Sequence, residues 1–508
     1  MNQEIPDSDR RWSWFIGVLI AVSAAARLVY FFQTTWISGD MAVEGLMAKH
    51  IMEGRELPEF IWMGQYSGTL TTYLTALWFK LFGVSAAGYA FTCLLIGIAH
   101  TWAAYALAKR CLPRPGLYFA LALALIPPFE AFYGISWFHY GGVQAMGCLA
   151  LILTLRYSEG DRSPGLITGL GLLSGLGAWS FPAFTPFIFV QAIIFLQARH
   201  AHKRRDFSLW FAGFLLGHLP AMHYNATHPG AQFHRMASRF LRIDREEWET
   251  STHRIRLIAS HLILKLMSVP TVVGWFPAQF ARLTDWLDAI ALVPAALWAW
   301  RRGRGSVAIV SLYTLAFLAL HIFVAGDPYA HSLFSLYIPF MIFTAGWLAD
   351  VWSRSKPLGG MLAGMLIIGN LCSLSNVLLH PEDLAIPELT AFLDAHAIDR
   401  GYSDYWIAYP TIFQSRERIL LSPTLLHPTF YDRHPEYTEE VRRSPRAAFV
   451  VDRKRLPCVG PELERLLKAK GVSYEKVEIK DLSVYYDFSR PVYPEEFALG
   501  TIENCAAR

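Results

Sequence analysis

Residues 12–32, WSWFIGVLIAVSAAARLVYFF, form an apolar stretch with a single arginine, Arg27, near its C-terminal end. A helix of about 20 apolar residues is long enough to cross the hydrocarbon core of a bilayer. The stretch is too long for the apolar region of a signal peptide, and no small-residue cleavage site follows it. It therefore predicts a first transmembrane helix that stays in the protein.

The rest of the chain has the same character. Of its 508 residues, 54% are hydrophobic and only 17% are charged, against about 25% charged in an ordinary soluble domain. The net charge of +4 comes without a basic patch, which excludes a nucleic-acid-binding protein. By length, about eleven apolar stretches could span a membrane. The predicted spans are 12–33, 85–108, 117–134, 141–156, 165–180, 182–198, 207–224, 284–300, 306–325, 333–351 and 358–377.

Clusters of lysine and arginine between these spans predict the orientation. All of them fall on the cytoplasmic side in a single topology, as the positive-inside rule requires. The N-terminus is then cytoplasmic, and the odd number of spans places the C-terminus outside. We expect a protein integral to the plasma membrane, which is the inner membrane in bacteria. The clusters are Arg10–Arg11, Lys109–Arg110 with Arg114, Arg156 with Arg162, Arg199–Arg205, Arg301–Arg304 and Arg354–Lys356.

The predicted fold is an all-α polytopic membrane domain, residues 1–377, followed by a small extracytoplasmic α/β domain, residues 378–508. Strand-like and helix-like runs alternate in the second domain. The strands are predicted at 447–451, 472–479 and 482–488, and the helices near 387–397 and 460–470. The six cysteines show no metal-binding spacing, and the two in this domain, Cys458 and Cys505, are either free or paired with each other.

Two outer loops of the membrane domain, residues 34–84 and 225–283, are longer than a connection needs. In the first, residues 67–82 place leucines and aromatic residues at helical spacing, with threonines and Lys80 on the other face. This pattern predicts an amphipathic helix that lies at the membrane surface. Five histidines in or directly before the second loop lack a ligand-like repeat such as HxxxH and do not predict a metal site. They are His223, His228, His234, His253 and His261.

Two acidic residues open the first outer loop. In the sequence ISGDMAVE, residues 37–44, Asp40 and Glu44 are four apart, so that both carboxylates share one face of a helix. One interpretation is a pair of catalytic carboxylates. The other is an ordinary acidic first turn of a helix, with Ser38 or Asp40 as its N-cap.

These residues carry a family resemblance. An arginine in the outer part of the first span, an aspartate and a nearby acid in the loop after it, and LFGVS at 81–85 resemble the GT-C membrane glycosyltransferases. The closest resemblance is to bacterial relatives of the protein O-mannosyltransferases and of the lipid A aminoarabinose transferases. The resemblance is good over residues 20–90 and looser to about residue 225. Beyond that residue it is mainly a resemblance of architecture. It implies transfer of a hexose or pentose from a polyprenyl-phosphate donor to a lipid, glycan or protein acceptor outside the membrane.

The resemblance also implies roles for the acids. Asp40 matches the proposed catalytic base of the family. Glu44 lies near its second acid and is expected to orient the acceptor or the donor. A polyprenyl phosphate leaves as a stabilised anion, so a single base that takes the acceptor proton suffices.

Positive charge is expected close to the departing phosphate. It can come from Arg27, from Arg254 and Arg256 of the second outer loop, or from a divalent cation, Mg²⁺ or Mn²⁺. For Arg27 the alternative is that its side chain extends to the outer interface, and for the loop arginines it is a solvated charged surface.

Three further segments match motifs of the family in part. In HSLFSLY, residues 331–337, His331 stands at the arginine position of the family motif and Tyr337 agrees with the motif, so that both are candidate substrate contacts. In residues 127–144, Glu130 and His139 are candidate substrate contacts, and Gln144 stands where relatives often have an acid. Glu130 could instead end a helix. In GYSDYW, residues 401–406, the Tyr-Trp pair either stacks on a sugar or packs in the core.

Two other classes of function remain open from the sequence. A transporter or flippase of a lipid-linked saccharide would need polar residues along a path through the bilayer, and such folds often carry internal repeats that this chain lacks. A non-catalytic protein of cell-envelope assembly would use its outer domain to bind a partner.

Overall fold

The structure is a computed structural model, and it describes residues 7–33, 37–127, 138–198, 202–236, 291–323, 333–379, 385–425 and 432–497. The chain forms two compact units. The first, which we call the helical unit, comprises Met1–Tyr30, Gln65–Gly68 and Cys93–His380. The second, the mixed unit, comprises Phe31–Gly64, Thr69–Thr92 and Pro381–Arg508. Most of the first outer loop thus packs with the C-terminal residues, and the sequence-based domain boundary at residues 377–378 stays a prediction.

Helices dominate the described chain. The first nine are α1 Asp7–Gln33, α2 Gly39–Glu53, α3 Leu70–Phe82, α4 Ala86–Cys111, α5 Arg114–Leu125, α6 Val143–Ser158, α7 Pro164–Ser180, α8 Thr185–Gln197 and α9 Lys203–Gly217. The others are α10 Leu219–Thr227, α11 Ala231–Met236, α12 Ser306–Phe323, α13 Tyr337–Arg354, α14 Lys356–Leu379, α15 Ile386–Ala395, α16 Tyr405–Gln414, α17 Pro435–Arg442 and α18 Val459–Ala469. Residues 291–301 are also helical.

Each predicted span overlaps one of these helical segments. By length and composition, two of the described helices could cross a membrane, α4 and the segment Phe334–Arg354. Five described apolar segments are shorter, such as Ser306–Ile322 in α12. The helical character of the first domain is confirmed, and the number of crossings stays a prediction.

Within the helical unit, α7 and α9 approach each other through glycines. A Cβ atom at Gly171 would lie 1.9 Å from the Trp210 carbonyl oxygen, and one at Gly213 would lie 2.2 Å from that of Thr168. Gly175 and Gly217 are similarly close to the opposite backbone. Each helix carries the spacing G-x-x-x-G, Gly171 to Gly175 in α7 and Gly213 to Gly217 in α9. This pattern lets transmembrane helices pack backbone against backbone.

The mixed unit contains a five-stranded sheet in the order β4-β3-β5-β7-β6. Strands β3, β4 and β5 run parallel, and β7 is antiparallel to β5 and β6. Apolar side chains of β5 and β7 form a core with α15 and α16, among them Leu389, Ala408 and Val450. The strands are β1 Phe60–Ile61, β2 Gly64–Gly68, β3 Arg400–Tyr402, β4 Leu420–Ser422, β5 Ala448–Asp452, β6 Glu475–Ile479 and β7 Leu482–Tyr486.

The predicted strands and helices of the C-terminal region are thus confirmed within a few residues. Cys458 is disulfide-bonded, and its expected partner, Cys505, lies outside the described residues. The cysteines Cys93, Cys111, Cys148 and Cys372 are free.

Helix α3 exposes its leucines and buries its threonines. Leu77 is 53% and Leu81 61% exposed, while Thr72 and Thr75 are fully buried. A helix in water would be expected to bury the opposite face. The amphipathic character of α3 is therefore confirmed, and its place at a membrane surface stays a prediction.

Candidate functional site

The first outer loop begins with α2, whose first turn carries Asp40. Ser38 has an extended backbone, and its hydroxyl accepts a hydrogen bond from the Met41 amide at 3.3 Å, so Ser38 is the N-cap. The partial positive charge of a helix N-terminus favours an ionised carboxylate in the first turn. Asp40 is only partly buried, so its carboxylate lies at the positive end of α2 and is also accessible to solvent.

The hydroxyl of Tyr405 donates a hydrogen bond to Oδ1 of Asp40 at an O···O distance of 2.5 Å. The two residues are 365 positions apart in the chain. Tyr405 is the first residue of α16 and is 4% exposed. Burial, together with the neighbouring Asp40 carboxylate, raises the pKa of Tyr405 well above its ordinary value. The phenol therefore keeps its proton and acts as a donor to Asp40.

The residues on either side of Tyr405 complete the start of α16. Asp404 is the N-cap, and its Oδ1 accepts from the Trp406 amide at 2.8 Å. Burial raises the pKa of Asp404 to about 6. Trp406 is 36% exposed, and the guanidinium of Arg455 lies 5.5 Å from its ring centroid. The two members of the Tyr-Trp pair thus differ: Tyr405 is buried against Asp40, and Trp406 faces outward.

Helix α2 packs on α16 through two glycines. A Cβ at Gly39 would lie 2.6 Å from the Tyr405 ring, and one at Gly45 would lie 2.5 Å from the Phe413 ring. The absence of side chains at both positions lets the aromatic rings contact the α2 backbone. This close approach brings the Tyr405 hydroxyl within reach of Asp40.

Glu44 lies one turn after Asp40 but in a different environment. It is 3% exposed, and its Oε2 accepts a hydrogen bond from the Tyr89 hydroxyl at 2.8 Å. Buried carboxylates need such partners, since an unpaired charge in the interior is costly. Both carboxylates are on α2, as the four-residue spacing predicts, and Asp40 is the more accessible of the two.

The C-terminal end of α2 is held by a second polar cluster, around Glu417. The carboxylate accepts hydrogen bonds from Arg55 at 2.5 and 3.1 Å, from the Tyr437 hydroxyl at 2.7 Å and from Lys49. His50 lies with its Nε2 2.9 Å from the same carboxylate. We call these five residues the Glu417 cluster.

The charges of the Glu417 cluster stabilise one another. Burial opposes ionisation of Glu417, yet the hydrogen bonds from His50, Arg55, Lys49 and Tyr437 hold its pKa well below the ordinary range. Burial alone would lower the pKa of His50, but hydrogen bonds to Glu417 and Glu56 raise it. The side chain of His50 therefore favours its charged form.

The helical unit contains two further predicted substrate contacts, Arg27 and Tyr337. Arg27 is 4% exposed and interacts electrostatically with the Tyr337 hydroxyl. That hydroxyl donates to the Leu123 carbonyl at 2.7 Å, and Tyr337 is 1% exposed. The structure thus brings Arg27 and Tyr337 into one buried region, with the tyrosine held by the backbone of α5.

His139 lies in a π-helical turn, Phe138–Gly142, directly before α6. Its ring is 3.1 Å from the Ser67 hydroxyl and is stacked on Phe181, with centroids 5.6 Å apart. Tyr66 and Tyr140 also contact the Phe181 ring by their edges. Single π-helical turns inside helical proteins frequently occur at functional sites.

Gln144 has a structural role. Its amide nitrogen donates to the Ser335 hydroxyl at 2.6 Å, and Tyr313 donates to its carbonyl oxygen at 3.4 Å. All three residues are buried. In this neutral network the amide of Gln144 donates one hydrogen bond and accepts another, whereas an ionised carboxylate can only accept.

Four predicted substrate contacts, Glu130, Arg254, Arg256 and His331, lie outside the described residues. Within the described ranges, no group of three or more His, Cys, Asp or Glu residues could hold a metal ion. Sequence reasoning missed the Tyr405 contact with Asp40 and the Glu417 cluster. The only available signal was the Tyr-Trp pair itself.

Comparison with known proteins identifies the fold. ArnT from Cupriavidus metallidurans, bound to undecaprenyl phosphate, has a TM-score of 0.66 at 11% sequence identity, over 93% of this chain and 98% of that one. Its apo state gives a TM-score of 0.64 at 11% identity with the same coverage. The archaeal oligosaccharyltransferase AglB from Archaeoglobus fulgidus, in complex with an inhibitory peptide and a dolichol-phosphate, gives 0.49 at 10% identity, over 93% and 74%. No protein-family model and no curated protein matches the sequence.

The predicted resemblance to GT-C membrane glycosyltransferases is thereby confirmed at the level of the fold. The similarity to ArnT extends over 93% of this chain and 98% of that one, so it includes most of the residues that follow the last helix of the helical unit. With 11% identity, it is the course of the backbone that the two chains share. The chain has the fold of the GT-C membrane glycosyltransferase ArnT.

Proposed function

We propose that this protein is an integral membrane glycosyltransferase that moves a sugar from a polyprenyl-phosphate donor to an acceptor on the outer face of the membrane. The observation that carries the proposal is the environment of Asp40. Its carboxylate lies at the N-terminus of α2, is partly exposed and accepts a hydrogen bond from a buried phenol. A chain with the fold of ArnT, which binds undecaprenyl phosphate, has this carboxylate in the loop after its first helix.

In the proposed reaction, Asp40 acts as the general base. It takes the proton of an acceptor hydroxyl, whose oxygen then bonds to the anomeric carbon of the sugar. The bond between that carbon and the phosphate oxygen breaks, and the polyprenyl phosphate leaves as an anion. Because the leaving group is already stabilised, the site needs one base and no general acid.

The departing phosphate requires positive charge. Arg27 is the described candidate in the helical unit, because intramembrane arginines pair with anions or polar groups there. Arg254, Arg256, His331 and Glu130 remain proposed substrate contacts, as does His139, whose ring forms part of an aromatic cluster around Phe181. Glu44, bonded to Tyr89, is proposed to hold α2 in place for Asp40.

The test uses purified protein in detergent, with undecaprenyl-phosphate-linked radioactive hexose, pentose and aminopentose as donors and a membrane lipid and glycan extract as acceptor. We expect one donor to be consumed and Asp40→Asn to reduce transfer by at least about 10²-fold, the usual contribution of a general base. Asp399→Asn, which changes an exposed aspartate of the mixed unit, is the matched control. Full transfer by Asp40→Asn would contradict the mechanism.

The same experiment separates the alternatives. A pure flippase has no compartments to connect in detergent and would produce no transfer from any donor. A non-catalytic assembly protein would also be inactive, and its loss of function would follow deletion of 386–508 without dependence on Asp40. Repeating the assay with EDTA, and then with added Mg²⁺ or Mn²⁺, measures whether the reaction uses a divalent cation.

A further inference from the structure

Tyr405 comes from the C-terminal part of the chain, yet its hydroxyl contacts the proposed base. The phenol is the hydrogen-bond donor of Asp40, at 2.5 Å from Oδ1. Among the described residues, Oδ2 of Asp40 has no hydrogen-bond partner. One oxygen of the carboxylate is therefore fixed, and the other is left to accept a proton.

The contact is built by the packing of α2 on α16. The Tyr405 ring lies against Gly39, where a Cβ would approach it to 2.6 Å. On its other sides the ring contacts Tyr409, with centroids 5.2 Å apart, and the Arg433 guanidinium, 5.8 Å from the centroid. A ring enclosed on several sides cannot change rotamer freely, so its hydroxyl has a fixed position.

The start of α16 determines where that ring lies. Asp404 caps the helix through the Trp406 amide, and β3 ends directly before this turn. The phenol is thus held by a capped helix and a buried strand of the sheet. Rigid supports of this kind keep a catalytic group in its productive geometry.

We propose that Tyr405 is a positioning residue for Asp40, and this rests on the proposed function. It holds the carboxylate through the hydrogen bond to Oδ1, so that Oδ2 faces the acceptor. The C-terminal region of the chain then contributes a side chain to the reaction site.

The first test is Tyr405→Phe, which keeps the ring and removes the hydroxyl. Loss of a hydrogen bond to a charged group lowers kcat by roughly 10- to 100-fold, with little change in KM.

Tyr402→Phe is the matched control. Tyr402 is fully buried in the same unit, and its hydroxyl has no hydrogen-bond partner among the described residues. Its removal leaves kcat and KM unchanged. Equal effects of the two variants on kcat and KM would overturn the proposal, because a merely structural tyrosine does not lower kcat at an unchanged KM.

A second readout does not depend on activity. Carboxyl groups are labelled with a water-soluble carbodiimide and glycine ethyl ester, and the rate at Asp40 is measured by peptide mass spectrometry. We expect labelling several-fold faster in Tyr405→Phe and unchanged in Tyr402→Phe. If no donor is consumed by the wild type, the proposed function fails, while the labelling rates still decide whether Tyr405 holds Asp40.

Gly39→Ala is the second variant if Tyr405→Phe does not fold. It retains the phenol but places a methyl group where the ring lies. The ring must move, so labelling of Asp40 should rise as in Tyr405→Phe. An unchanged labelling rate in folded Gly39→Ala would contradict the proposal.

Discussion

The two units hold their helices together by different means. In the helical unit, α7 and α9 meet backbone to backbone, with glycines on both sides of the contact. In the mixed unit, α2 meets α16 through glycines that face aromatic rings, and polar contacts lie at both ends of α2: Tyr405 with Asp40, and the Glu417 cluster.

The two kinds of contact suit different surroundings. Inside a bilayer, lipid is as apolar as leucine, so burial of apolar side chains brings helices together only weakly and close packing must supply the attraction. In water, burial of aromatic rings is strongly favourable, and charged groups can be added at the edge of the contact. The α7–α9 contact has the close backbone packing expected in lipid. The α2–α16 contact has the buried aromatic rings and peripheral charges expected in water.

The largest effect should come from filling the α7–α9 contact. Gly171→Leu places a branched side chain where even a Cβ would be 1.9 Å from the Trp210 carbonyl. We expect a loss of about 3 kcal/mol or more, and little folded protein, because the backbones must separate. Gly169→Leu is the control, since a Cβ there meets nothing within 4 Å. Thermal unfolding in detergent measures both, and equal stability would show that the helices do not depend on glycine.

The next effect should come from the Glu417 cluster. Glu417→Gln removes the negative charge shared by Lys49, His50 and Arg55. Leaving these cations partly buried without their anion should cost about 2–3 kcal/mol. Hydrogen exchange in residues 39–53 would report the loosening of α2. Glu439→Gln, at an exposed glutamate of the same unit, should leave exchange unchanged, and if both variants behave alike the cluster is not what holds α2.

A smaller effect is expected from pH. The pKa of His50 is raised above its ordinary value of 6.5 in the folded chain. Its stabilisation is therefore complete below about pH 6.5 and is lost as the pH rises through the folded pKa. Glu417 acts in the opposite direction: its pKa is lowered from 4.5, so its contribution is present above that pH and is lost in stronger acid.

The mixed unit should thus be most stable between the ordinary pKa values of glutamate and histidine. Melting temperatures measured from pH 4 to pH 9 would show the alkaline decline, and His50→Gln should flatten it. A decline of the same size in His50→Gln would assign the pH dependence to other groups.

The smallest effect should come from the exposed face of α3. Leu77→Ser changes a side chain that is 53% exposed, so stability in detergent should change by less than about 0.5 kcal/mol. Thr75→Leu, at a buried threonine bonded to Thr92 at 3.1 Å, should cost more, about 1–3 kcal/mol. The reverse order, measured by thermal unfolding, would mean that the leucines are packed against protein.

Much of the architecture could be predicted because it depends on local pattern. Each predicted span overlaps a described helix, and α3, α15, α18 and strands β5 to β7 follow their predicted ranges within a few residues. Periodicity and length determine such elements without knowledge of their neighbours. The G-x-x-x-G spacings in α7 and α9 were not among the predictions, and their pairing appears only in the structure.

The candidate site could be predicted only in part. Asp40 and Glu44 were placed on one helix by their spacing, but their different surroundings depend on Tyr405 and Tyr89, which are distant in sequence. Gln144 stands where relatives often have an acid, and the sequence did not indicate its hydrogen bonds to Ser335 and Tyr313. Long-range partners carry no local signal, because a single hydrogen bond does not change the pattern around either residue.

By itself, therefore, the sequence predicted a helical membrane chain with a loop that presents Asp40 at a helix start, since hydrophobic length, periodicity and capping are local properties. Only the tertiary structure decided that most of this loop packs with the C-terminal residues, that Tyr405 fixes one oxygen of Asp40, and that the Glu417 cluster holds the far end of α2. Those contacts join residues hundreds of positions apart, and they exist only because the fold brings two glycine-bearing turns of α2 against the aromatic side chains of α16.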